Sequence, residues 1–216
     1  MKVVAIVSVA ALALFAWQSC PVSAGDGRNI TNINGSVHAS SGETYDTLST
    51  VNGDVRVARG ASADVARSVN GEIVLEQDVK VGSVSTVNGS VRIDEGVAVS
   101  REASTVNGSV SLRKRAHVGG DVSSVSGDLD LEGAEVVGQL ETYNGDIDLS
   151  DGARVIGGIH VKRPKGSDWN HNTAPEVHIC ATCVVEGDLR FDRPVELRVD
   201  AGAKIGKVIG EDVRRR

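Results

Sequence analysis

Between residues 33 and 156, apolar positions return at fixed offsets from a recurring three-residue step. The step reads Ile33-Asn34-Gly35, Val51-Asn52-Gly53, Val69-Asn70-Gly71, Val87-Asn88-Gly89, Val106-Asn107-Gly108, Val125-Ser126-Gly127 and Tyr143-Asn144-Gly145, at intervals of 18, 18, 18, 19, 19 and 18 residues. Three residues after each central position stands Val37, Val55, Ile73, Val91, Val110, Leu129 or Ile147, and two further on stands Ala39, Val57, Leu75, Ile93, Leu112, Leu131 or Leu149. A third column holds Ala61, Val79, Val97, Ala116 and Ala153, interrupted by Glu135. A fourth holds Ala63, Val81, Val99, Val118, Val137 and Ile156, often followed by Gly. Each run alternates apolar and polar residues, the period of a strand, so a repeat holds three strands with sides of about six residues.

Two architectures accept such strands. A type I′ hairpin at each Asn-Gly would give an antiparallel meander. Hairpins, however, require the two halves of a period to resemble each other. Here one half carries a firm apolar pair and the other ends in Gly and Ser. Stacked coils accept that asymmetry, because like residues then lie on like at about 4.8 Å. The predicted fold is therefore all-β, a single-stranded parallel β-helix of about 18 residues per coil, with apolar ladders filling its bore. Asn34, Asn52, Asn70, Asn88, Asn107 and Asn144 are the expected turn and ladder residues, since Gly accepts the turn and Asn can bond its own ladder or the local backbone. The Asn-Gly-Ser sequons at Asn34, Asn88 and Asn107 are explained by the same turn chemistry.

Repeats such as Ser85-Thr86-Val87-Asn88-Gly89-Ser90-Val91-Arg92-Ile93 resemble those of secreted adhesin-like domains of bacteria. The segment Gly152-Ala153-Arg154-Val155-Ile156-Gly157-Gly158-Ile159 is similar to bactofilins, bacterial β-helix proteins that form polymers. The resemblance spans about residues 30–161 and implies a right-handed parallel β-helix of scaffolding or surface type, without catalysis. One departure is that bactofilins are typically cytoplasmic, whereas this chain opens like an exported one.

Lys2, the apolar stretch Val3–Trp17 and the small residues of Val22-Ser23-Ala24 read as a signal peptide cut after Ala24. Lipid attachment at Cys20 is the rival processing, but Trp17-Gln18-Ser19 departs from a lipobox. The expected organisation is a leader over 1–24, regular coils over 25–161, a loop over 162–176 and irregular coils with a cap over 177–216. The loop carries Pro164, Gly166, Trp169 and Pro175. Trp169 could cover the bore or stand exposed. The Arg214–Arg216 tail reads as solvated.

Composition sharpens the picture. Beyond Ala24 there are thirty Val, nine Leu and four aromatic residues, so the core is aliphatic and strand-favouring. The same span carries 22 Lys and Arg against 29 Asp and Glu, a net charge of −7, which argues against nucleic acid as a partner. No transmembrane segment follows the leader. The expected partner is a protein or envelope component, including a second copy through the unpaired helix ends.

Little in the chain promises chemistry. Cys180-Ala181-Thr182-Cys183 is expected to form a disulfide, an even pair in an oxidising compartment. The alternative is a small metal-binding or redox module, with His171 and His178 joining Cys180 and Cys183 around zinc. The flanks are strand-like, without the helix N-terminus that activates a redox thiol. His38, His117 and His160 are scattered. Asp128, Asp130, Asp146 and Asp148 would stack in two acidic rows, read as a solvated face in preference to a calcium site or the carboxylates of a sugar-processing enzyme. No cofactor and no catalytic residue is assigned, and the functional expectation is an exported, non-enzymatic structural or interaction module.

Overall fold

The computed structural model describes residues 28–163, 174–210 and 212–215 of the 216-residue chain. The proposed leader with Cys20, Trp169 and His171, and the terminal Arg216 lie outside the described residues.

Every strand pairing is parallel and joins one coil to the next, as the column spacing predicts. One face is a ten-stranded sheet of three- to five-residue strands, from Val37–Ala39 through Val91–Ile93 and Ile147–Ser150 to Val213–Arg215. Its inward residues Val37, Val55, Ile73, Val91, Val110, Leu129 and Ile147 are buried, as are those two places on. About ten coils at 4.8 Å give a rod roughly 45 Å long.

The remaining surface is one sheet that forks. In the first coils a single nine-residue strand completes each turn: Thr44–Asn52, Ser62–Asn70 and Lys80–Asn88. These coils thus have two unequal strands, not three equal ones. From Lys80–Asn88 onward the next coil pairs as two separate strands, Ala98–Val99 and Ala103–Asn107. The cause is one extra residue: three positions separate buried Val81 and Val84, but four separate buried Val99 and Ala103. The sheet therefore breaks into a second and a third face, and the period grows to 19. Arg101 sits in the break and reaches two coils back, donating to the Asp64 carboxylate at 2.9 Å, the Asp64 carbonyl at 3.0 Å and Ser83 Oγ at 3.2 Å.

Two column assignments change. Val137 is 37% exposed and Ile156 is half-buried, whereas Val136 and Val155 are buried. The ladder on this face runs Val81, Val99, Val118, Val136, Val155, Val185 and Ile205. Val155 stands at the regular eleven places after Asn144, as Val118 does after Asn107, whereas for Val136 the reason is a missing corner residue. Leu131 and Ala134 lie three apart where Leu112 and Ala116 lie four apart, so everything from Ala134 moves up by one. Ala134, not Glu135, thus occupies the third column, and Glu135 points outward opposite His117 and Arg154. The basic tail is also partly structured, because Val213–Arg215 closes the first face.

Candidate functional site

The Asn-Gly corners form one continuous ridge. Each Asn amide donates to the amide oxygen one coil back: Asn52 to Asn34 at 3.0 Å, Asn70 to Asn52 at 2.9 Å, Asn88 to Asn70 and Asn107 to Asn88 at 2.8 Å. Ser126 ends the ladder. Asn144, the last member, instead accepts from Arg193 Nη1, which also bonds the Tyr143 carbonyl at 2.7 Å. Glycine is required beside Asn because the coils nearly touch here. A Cβ on Gly53 would stand 2.5 Å from the Gly35 carbonyl carbon, and one on Gly71 would stand 2.5 Å from that of Gly53.

A buried polar column escapes an apolar pattern search. Thr50, Ser68, Thr86, Thr105, Ser124 and Thr142 point into the bore, two residues before each ridge position. Their hydroxyls donate to glycine carbonyls one coil back: Thr50 to Gly35 at 2.9 Å, Ser68 to Gly53 at 2.9 Å, Thr86 to Gly71 at 3.0 Å, Thr105 to Gly89 at 2.8 Å and Ser124 to Gly108 at 2.9 Å. A buried carbonyl at a tight corner is costly to leave unpaired, and this column satisfies it. Within this column only Thr142 Oγ1 lacks a partner among the described residues. The even spacing of these Ser and Thr residues was the signal that could have revealed them.

The residue before each Asn faces outward. Ile33 is 65% exposed, while Val51, Val69, Val87, Val106, Val125 and Tyr143 are half-buried. Beside this apolar stripe run the half-buried Ser49, Arg67, Ser85, Ser104 and Ser123, in register from coil to coil. Up to Ser126 this face carries a single charged side chain across the two columns, on a chain that is 24% charged.

The acidic rows have structural partners. Between Ala116 and Ala153 the chain holds nine acids and no Lys or Arg. Asp128 accepts the Asp146 amide at 3.0 Å, Asp146 accepts the Glu176 amide at 2.8 Å, and Asp121 accepts the Gln139 amide at 2.8 Å. Glu132 meets Arg113 and Lys114, Asp151 meets Lys114 at 2.7 Å, and Glu141 meets Lys162 at 2.6 Å. Asp130 faces Asp148 in register. Burial, then the Asp128 and Asp148 charges, push the Asp130 carboxyl above its ordinary value, with Arg113 opposing.

Cys180 and Cys183 are joined by a disulfide, with Cα atoms 5.1 Å apart. Cys183 is buried in the column that elsewhere holds Ala153 and Ala203, and its amide donates to the Cys180 carbonyl at 2.9 Å, closing the corner. The pair therefore staples one turn of the coil. His178 is not gathered around these sulfurs. It is engaged by Asp148 at 2.6 Å and Asp200 at 3.3 Å, and among the described residues no group of three metal-ligating side chains forms. Also among them, no helix is long and apolar enough to cross a membrane.

Compared with family models, with curated proteins and with solved structures, the chain finds no match.

Proposed function

We propose that the chain serves as an exported, non-enzymatic structural or interaction module of a bacterial cell envelope, a β-helix scaffold or adhesin-like protein. The observation that carries this reading is the outward stripe from Ile33 to Tyr143. It repeats one chemistry, an apolar ridge beside serine hydroxyls and an amide ladder, once per coil on a backbone locked by inter-coil bonds. Such a surface suits a protein or envelope component with an extended, weakly charged face. Long-range charge steering would add little to the encounter.

Self-association is a second part of the reading. The final coil's Val199, Ala203, Ile205, Val208 and Val213 are only partly buried, and its strands present unpaired edges. A second copy stacked there would bury both.

The test uses the chain from Gly25 and its Val69→Asp/Val87→Asp variant. Both side chains point outward, so the fold tolerates the change. Wild type should be retained on isolated envelope material, and the variant should be released from it. Equal retention of both would overturn the stripe, and a strictly monomeric wild type in light scattering would remove the self-association.

A further inference from the structure

The regular coils and the C-terminal coils meet at one unusual junction. At the other steps stacked residues are 17 to 20 apart, but His178 lies 30 residues from Asp148, its register partner. Contacts between successive levels hold the C-terminal coils onto the rod.

His178 provides one. On its strand Glu176–Ile179 it points outward from the first face, bonded at Nδ1 to Asp148 Oδ1 at 2.6 Å and at Nε2 to Asp200 Oδ2 at 3.3 Å. Asp148 belongs to the preceding coil and Asp200 to the following one, so one ring spans three levels. An ionised carboxylate only accepts hydrogen bonds, so both ring nitrogens must donate. Only the imidazolium does that.

We propose that His178 is a pH-operated latch that holds the last coils, residues 195–215, onto the rod while protonated and releases them when neutral. Loss of one proton leaves Nδ1–H on Asp148, the shorter contact, and turns Nε2 into a lone pair facing the Asp200 carboxylate. Arg198, in register with His178 on the next strand, then takes over Asp200, whose other oxygen lies 3.6 Å from its Nε. Further charged groups around His178 are Glu176 on its own strand, Asp146 and Asp130 on the preceding coils, Glu196 beside Arg198, and Arg214 in register with Glu196 one level on. The four carboxylates favour the cation and Arg214 opposes it.

The coil that is freed is the one least held by packing. Of its inward residues, Val195 and Leu197 are fully covered but Val199, Ala203, Ile205, Val208 and Val213 are only partly buried, whereas Val177, Ile179, Val185 and Leu189 beneath them are all fully covered. Opening would bare that apolar layer. The Asp148 bond, against burial and with help from Asp200, raises the His178 pKa above its ordinary 6.5. The latch is thus fully closed below the ordinary value and opens as pH rises through the raised one.

The proposal does not depend on the envelope reading and is tested on the disulfide-intact chain. Proton NMR of the His178 ring should give a midpoint above 6.5. Amide exchange of residues 195–209, normalised to intrinsic rates, should be slower near about pH 5.5 than about pH 8.5, because the Nε2 bond to Asp200 exists only on the cation. The amides of residues 48–93 should not change. His178→Gln, and separately Asp200→Asn, should flatten this dependence. A His178 midpoint at or below 6.5 would overturn the latch, and so would an identical pH dependence in wild type and both variants. If the variants fail to fold, amide exchange of wild type decides: equal protection of residues 195–209 at both pH values would overturn the latch.

Discussion

Gly71→Ala tests how closely the coils approach at the Asn-Gly ridge. Gly71 does not need a left-handed backbone, so any cost of the methyl group is steric. The new Cβ would lie 2.5 Å from the Gly53 carbonyl carbon, closer still to its oxygen, and 3.0 Å from Asp54 Oδ1. Non-bonded atoms settle at roughly 3.5 Å, so the two coils must part by about 1 Å at this corner. Four bonds cross that gap: Gly53 N–H to the Asn70 carbonyl at 3.0 Å, and Ser68 Oγ to the Gly53 carbonyl, Asn70 Nδ2 to Asn52 Oδ1 and Glu72 N–H to Asp54 Oδ1, each at 2.9 Å. Stretched by 1 Å they are lost or badly weakened, at about 1 kcal/mol each, giving a destabilisation of about 3–4 kcal/mol. For a chain of this size that lowers Tm by roughly 10 °C. Gly60→Ala is the matched control, because Gly60 has φ +69° but nothing within 4 Å of the added Cβ. Its cost is backbone strain alone, about 1 kcal/mol. Circular-dichroism melts of both variants give the comparison. A Gly71→Ala protein melting no lower than Gly60→Ala would refute the close-contact account of the ridge.

Other substitutions probe single columns. Thr86→Val keeps the shape but strips the hydroxyl from the Gly71 carbonyl, and should cost about 1–3 kcal/mol in urea titrations; a loss under about 0.5 kcal/mol would mean the polar column is dispensable. Asn88→Asp puts a carboxylate opposite the Asn70 amide oxygen, so the variant should melt lower at neutral pH and recover below about pH 4, where the group protonates. No such recovery would argue against the amide ladder. Reducing Cys180–Cys183 releases a very short loop and should cost about 2 kcal/mol, read as the shift in melting with and without reductant.

The repeat was legible because its columns are apolar and its period steady. What misled was local length. The residue missing before Ala134 is invisible to a fixed offset, so Val137 was expected where Val136 lies, and Ile156 was placed one step beyond the regular position that Val155 fills. The fork at Lys80–Asn88 has the same origin, since one added residue breaks a nine-residue strand in two. The Thr50–Thr142 column was written in the sequence at the right interval, but Thr and Ser read as outward residues until the carbonyls they satisfy are known. His178 could not be assigned from spacing at all. Its partners lie 30 residues before and 22 after it, across an insertion that breaks the period. The acidic rows were correctly placed outside, although Asp128 and Asp146 cap backbone amides of the following coil.

These length differences have a pattern that can be tested. The chain varies its length at the other two corners, yet the step from each ridge position to the next inward residue is always three, from Asn34–Val37 to Asn144–Ile147. The corner that never varies is the one where glycines of successive coils meet. Excising Gly53–Asn70 joins Asn52 to Gly71 and removes one complete coil. Thr44–Asn52 then faces Lys80–Asn88 in the register it now keeps with Ser62–Asn70. Stacked repeats interact mainly with their neighbours, so the shortened rod should fold, losing one coil's interface and the Arg101–Asp64 bond. Excising Gly53–Val69 instead leaves Asn52-Asn70-Gly71, one residue too many at the corner that has no room. That protein must either break the ridge or turn the next inward residues out, since a one-residue slip exchanges the two faces of a strand. Size-exclusion chromatography and thermal melts should show a cooperatively folded product in the same oligomeric state as wild type for the first and an aggregated or non-cooperative product for the second. Equal behaviour of the two would mean that the ridge does not set the register.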